Sequence, residues 1–233
     1  MPRRPLLLAS ALLASALGAL GASCTPTPIE QPPLDVAVFP KVAYSGYAPS
    51  GTFRVMISTG ADAPRWAVED PSVASIEPAP APSIPNTDVT GLSFALITTK
   101  RAGETGIRMT SGDKVVTTRL VVAAYTDADL AAGKARYTTA STDGARAPCI
   151  QCHARDGGVG VDHSPLKMGG FDAPAILGVI ERATYPESPT GQSITSSFSP
   201  RGPLSFAQHR WNLTDAERAG VVAYLRSLPL GGL

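Results

Sequence analysis

Between residues 35 and 124 the apolar positions fall in short alternating runs. Phe53, Val55 and Ile57 alternate with Thr52, Arg54, Met56 and Ser58, which predicts a half-buried strand with one face inward and the other outward. Comparable runs at 35–39, 65–68, 93–98, 105–110 and 114–123 are separated by breaks containing Gly, Pro, Asn and Asp. Strands at this spacing predict a β-sandwich, with Trp66 as a plug in its core. Pro78, Pro80, Pro82 and Pro85 bar residues 77–88 from a central strand, so a long surface loop is expected there. After residue 125 the period changes to that of helices. Asp127 is the expected N-cap of a helix over 128–138, in which Gly133 offers a flat spot for close helix approach. A second helix is predicted over 172–185, with Ile176, Leu177, Val179 and Ile180 as its apolar face and Pro186 as its stop. Residues 187–211 have no period and read as a loop. The last helix begins at the N-cap Thr214, with Glu217 completing a capping box, and buries Val221, Val222, Tyr224, Leu225 and Leu228.

The beginning of the chain reads as an address. Arg3 and Arg4 precede an apolar stretch over 6–20, too short to span a bilayer, which predicts an export signal. Gly21-Ala22-Ser23-Cys24 resembles the lipobox of bacterial lipoproteins, although Gly21 stands where that pattern prefers Leu. The resemblance implies cleavage before Cys24 and a lipid on its sulfur. Residues 25–34 contain Pro26, Pro28, Pro32 and Pro33, and are expected to form an extended spacer.

The chain has 233 residues, enough for two modest domains, and a net charge of +1, which excludes a strong field directed at nucleic acid. A hydrophobic content of 43% is too high for general disorder.

Chemistry concentrates in Cys149-Ile150-Gln151-Cys152-His153. C-x-x-C-H is the attachment signature of a c-type haem: two thiols at this spacing reach the two vinyl groups of a porphyrin, and the histidine reaches the iron. With three Cys and three His in the chain, chance yields such a run in roughly 5 of 10,000 chains of this composition. Two other readings stay open. One is a redox dithiol, though no strand leads into the motif; the other is a zinc site completed by His163 or His209. If Cys149 and Cys152 hold haem and Cys24 holds lipid, every cysteine is used and no disulfide is expected.

Two further resemblances follow. The run from Trp66 to Ile76, with Asp70-Pro71-Ser72-Val73, and the later Ala102-Gly103-Glu104-Thr105-Gly106-Ile107 resemble the group-2 bacterial immunoglobulin-like domain, which implies a spacer or adhesion module over 35–124. Gly133-Lys134-Ala135-Arg136-Tyr137, the C-x-x-C-H run, and Leu213-Thr214-Asp215-Ala216-Glu217 through Tyr224-Leu225 resemble the class I cytochrome c family over 126–230. The fold class implied is two domains, an all-β immunoglobulin-like sandwich followed by an all-α cytochrome c fold. The cytochrome resemblance implies one covalent haem c, His153 as the proximal iron ligand, and Pro165 offering its carbonyl to the other ring nitrogen of His153. It places the sixth ligand in the loop before the last helix, where His209 stands; Met168 is the alternative and His163 a distant third.

The expected function is one-electron transfer to a redox partner in the cell envelope, without enzymatic activity of its own. The location implied is the periplasm or envelope, anchored by lipid, with the outer membrane favoured because Thr25 follows Cys24. The alternatives are a haem-based sensor or ligand-binding module, and a surface interaction protein whose immunoglobulin-like part carries the function.

Overall fold

Eight strands form two sheets in the computed structural model, which describes residues 37–82, 89–153, 163–183 and 208–230. The strands are β1 (Val38–Phe39), β2 (Val42–Tyr47), β3 (Arg54–Thr59), β4 (Arg65–Val68), β5 (Ala74–Ala79), β6 (Ser93–Thr99), β7 (Gly103–Ser111) and β8 (Lys114–Ala124). One sheet has the order β1-β3-β6-β5 and is antiparallel throughout; the other has the order β2-β8-β7-β4, with β2 parallel to β8. Val55, Ile57, Ala95, Ile97, Ile107, Met109, Leu120 and Val122 fill the space between them. Trp66 is only half-buried, packed against that core from β4 at its sheet's edge. Pro78 lies inside β5, where the expected loop has not yet begun; β5 is an edge strand, the one place in a sheet that tolerates proline.

The helices are α1 (Asp127–Thr138), α2 (Cys149–His153), α3 (Pro165–Met168), α4 (Ala173–Arg182) and α5 (Asp215–Ser227). No helix among the described residues is long and apolar enough to cross a membrane. The N-cap of α1 is Thr126 and not Asp127: Thr126 Oγ1 accepts from the Asp129 amide at 3.1 Å, and the Asp129 carboxylate accepts from the Thr126 amide at 2.8 Å. Asp127 is used elsewhere, accepting from the Ser50 amide at 3.0 Å and the Ser50 hydroxyl at 2.7 Å. Thr214 and Glu217 form the same box at the start of α5. Helix α4 is capped by Asp172 and ends on Ala183 in the left-handed conformation, φ 52°.

The expected fold class, two domains with an all-β immunoglobulin-like sandwich followed by an all-α cytochrome c fold, is overturned. The described residues belong to one compact unit, mainly β, with a few helices laid against the sheets, and no all-α cytochrome fold is present among them. The reason is visible on β3. Met56, on the face that alternation assigns to solvent, is 7% exposed because Leu166 of α3 and Phe94 of β6 cover it. A helix of four residues such as α3 cannot enclose a core of its own, and the sheet supplies the missing side for Leu166. Arg226 of α5, 5% exposed, crosses that boundary: its guanidinium donates to the Ser45 carbonyl in β2 at 2.9 Å and to the Tyr125 hydroxyl at 3.2 Å. The Tyr44 amide of β2 also donates to the Gly169 carbonyl at 2.8 Å.

Candidate functional site

Helix α2 is a single turn that begins where Pro148 interrupts the chain, with the Gln151 amide donating to the Pro148 carbonyl at 3.0 Å. Residues three and four apart on a helix share a face, so Cys149, Cys152 and His153 are presented to the same side. Both cysteines are free and half-buried. Cys149 packs against the helical core of Tyr137, Trp211 and Leu225, and burial pushes its thiol up to about 11, with Arg136 opposing the shift. It is therefore a neutral thiol near pH 7. A redox dithiol needs a nucleophilic thiolate of lowered pKa, and this environment does the reverse.

The fold brings all three histidines of the chain together. The His163 ring stacks on His153, with centroids 3.8 Å apart and planes at 23°. His209 meets His153 edge-on, 5.8 Å between centroids at 76°. Tyr137 meets the other ring, His163, edge-on at 5.8 Å and is itself packed on Tyr224 at 5.4 Å. Burial drives the His163 pKa well below the ordinary imidazole value, and His153 and His209 reinforce the shift, so His163 is held neutral. Its Nδ1 is buried with no hydrogen-bond partner among the described residues.

His209 is positioned by its neighbours. The Gln208 side chain accepts from the Ala147 amide at 2.9 Å, and the Gln208 carbonyl accepts from Trp211 Nε1 at 2.9 Å, tying the His209 segment to the approach to Cys149. Arg136 stacks over Trp211 at 4.4 Å and pairs with Glu217 at 3.3 Å, so α1, α5 and this segment are joined. Sequence reasoning missed Gln208, Arg136 and the Tyr137 contact. No spacing signal marks them, because each acts on residues remote in the chain.

The remaining candidates are placed as follows. Pro165 opens α3 and its carbonyl accepts from the Gly169 amide at 2.9 Å. Met168 is partly buried against the helical core. Cys24 and the spacer after it lie outside the described residues, as does most of the expected loop over 187–211.

The donor set suits a covalently held haem: two free thiols and an imidazole on one face of a helical turn, an orphaned buried ring nitrogen on His163, and a further histidine close by. No group of three His, Cys, Asp or Glu among the described residues is arranged to hold a metal ion unaided, so the zinc alternative finds no tetrahedron there. An open groove of about 300 Å³ lies elsewhere, between the edges of β4 and β5 beside Pro64, Trp66, Pro78 and Leu92.

No family model matches the chain, and no curated protein does. Among solved structures the chain is similar to domains 5–6 of the S-layer protein SbsC, at 13% identity and TM-score 0.28, covering 37% of this chain and 42% of that one. It is similar to domains 4 and 5 of SbsC at 13% identity and TM-score 0.27, covering 38% of this chain and 44% of that one. The longer S-layer protein rSbsC(31-844) is similar at 12% identity and TM-score 0.28, covering 37% of this chain and 12% of that one. The chain thus spans less than half the length of each, and at these TM-scores the likeness carries no argument. The resemblance to a class I cytochrome c domain preceded by a group-2 bacterial immunoglobulin-like domain in a bacterial lipoprotein is corrected here. No model of any such family matches, and the structure is mainly β with few helices. The local motifs occur here without the fold that the resemblance implies, because a C-x-x-C-H turn and a capped helix are specified by a handful of neighbouring residues.

Proposed function

We propose that this protein is exported and holds one haem through thioethers at Cys149 and Cys152, with His153 on the iron, and exchanges single electrons with another protein of the cell envelope. The observation that carries the reading is the single helical turn that presents both free thiols and His153 on one face. A haem bound there supplies the one-electron iron couple. The chain supplies the rest. Cys149 and Cys152 fix the attachment, His153 ligates, and the apolar side chains around Cys149 exclude water and so favour the less charged state. The experiment is an absorption spectrum of protein made with haem maturation, followed by denaturation and acid extraction. Colour retained on the polypeptide supports the reading; colour released into the solvent, or stoichiometric zinc without haem, sinks it.

His209 is the favoured sixth ligand, because it faces His153 edge-on while Met168 packs into the helical core. His209→Ala is expected to convert a low-spin six-coordinate spectrum to a five-coordinate one, with Met168→Ala leaving it unchanged. The opposite pair of results would reassign the ligand to Met168.

Localisation rests on the sequence alone. Lipidation at Cys24 would tether the protein to a membrane, the outer one in this reading, and Cys24→Ser is expected to move the mature protein into the soluble fraction of the envelope. An unchanged distribution in a fractionation assay leaves the export signal without the anchor.

A second reading is a surface interaction protein in which the β-sandwich carries the function. The groove beside Trp66 favours it, since a half-buried tryptophan flanked by prolines at two sheet edges is a surface that a partner could cover. Trp66→Ala would then abolish attachment to a partner surface while the haem spectrum stayed the same.

A further inference from the structure

We infer that His163 is a positioning residue for the His153 imidazole, fixing the plane of that ring by stacking on its face. The inference rests on the proposed haem at Cys149 and Cys152. The two rings lie 3.8 Å apart with planes at 23°, a face-to-face contact that leaves His153 little freedom to turn about the bond joining its ring to the chain.

His163 is in turn held from behind. Tyr137 of α1 packs edge-on against it at 5.8 Å, and Tyr137 is 1% exposed and packed on Tyr224 of α5 at 5.4 Å. The column His153, His163, Tyr137, Tyr224 therefore ends in the place where α1 and α5 cross. The chain on the C-terminal side of His163 is pinned as well, because the Ser164 carbonyl accepts from the Met168 amide at 2.9 Å and Pro165 fixes its own φ. The buried Nδ1 of His163 makes no hydrogen bond to the described residues, so packing, and not a directional bond from that atom, sets the ring.

The functional consequence follows from ligand-field chemistry. A haem held by Cys149 and Cys152 would supply an iron couple whose electronic anisotropy and reduction potential respond to how the ligating His153 ring is oriented. A stacked neighbour that fixes this plane narrows the spread of orientations. His163→Phe keeps an aromatic face against His153, whereas His163→Ala removes it.

The test compares wild type, His163→Phe and His163→Ala made with haem maturation, by pyridine spectrum, electron paramagnetic resonance and reduction potential. The expected result is covalent haem in all three, a wild-type resonance spectrum in His163→Phe, and in His163→Ala a shifted, broadened low-field signal with a changed potential. Unchanged resonance and potential in His163→Ala overturn the inference while leaving the haem reading intact. A Phe variant that behaves like the Ala variant also overturns it, because the effect then belongs to the imidazole and not to the stack. Absence of covalent haem in the wild type overturns the haem reading itself, and this inference with it.

Discussion

Replacing both Cys149 and Cys152 with Ser is expected to leave a polypeptide that loses all of its colour on denaturation and acid extraction. In the proposed attachment each S–H adds across one vinyl double bond, so that a C–S bond forms, the hydrogen goes to the neighbouring carbon, and no oxidant is consumed. The reaction requires free thiols, and neither Cys149 nor Cys152 is held in a disulfide. Burial pushes the Cys149 thiol up to about 11, so it is a neutral thiol near pH 7. Either single Ser variant retains one thioether and part of the colour. The double variant keeps only ligation by His153 and His209, which denaturation breaks. Denatured, extracted protein from the double variant that still absorbs as haem would show that attachment lies elsewhere.

Gly133→Ala is expected to destabilise the fold by about 3 kcal/mol, lowering the thermal midpoint by roughly 6–12 °C for a chain of this size. Helix propensity alone predicts the opposite sign, since alanine is favoured over glycine inside a helix by about 1 kcal/mol. Packing wins because a Cβ on Gly133 would overlap the Gly220 backbone oxygen and carbon and come within 2.8 Å of Tyr224 Cβ. The two Gly220 atoms are backbone of the facing helix, which cannot turn aside as a flexible side chain would. Gly220→Ala meets the same crossing from the other side, 2.7 Å from both the Asp129 carbonyl oxygen and the Gly133 nitrogen. The double variant should cost less than the sum of the two, because one displacement of α1 relieves both clashes. Thermal unfolding followed by circular dichroism measures this. A Gly133→Ala protein as stable as the parent would mean that α1 and α5 are not in backbone contact.

Local chemistry was legible where neighbours in sequence are neighbours in space. Alternation located β3, β6, β7 and β8 to within a few residues, and the Thr214 and Glu217 box marked the start of α5. Strand β2 left no such signal. Its buried positions include Ser45 and Gly46, which carry no hydrophobic contrast, and its partner β8 is remote and parallel. The face of Met56 was misassigned for a related reason: period-2 alternation shows which side chains share a face, but not what covers that face. Likewise Thr126 displaced Asp127 as the cap of α1 because Ser50, far away in sequence, engages the Asp127 carboxylate.

The sequence by itself determined that Cys149, Cys152 and His153 converge, since they lie within one turn and need only helical geometry to share a face. Tertiary structure alone decided that His163 and His209 join them, because loop closure across the chain, and not spacing, puts their rings against His153. It also decided the fold class. Whether helices form their own domain or complete a sheet depends on which apolar faces find each other, and Leu166 finds Met56 and Phe94. The buried guanidinium of Arg226, which donates to a carbonyl of β2 and to the hydroxyl of Tyr125, joins the two layers at a point no local pattern could mark.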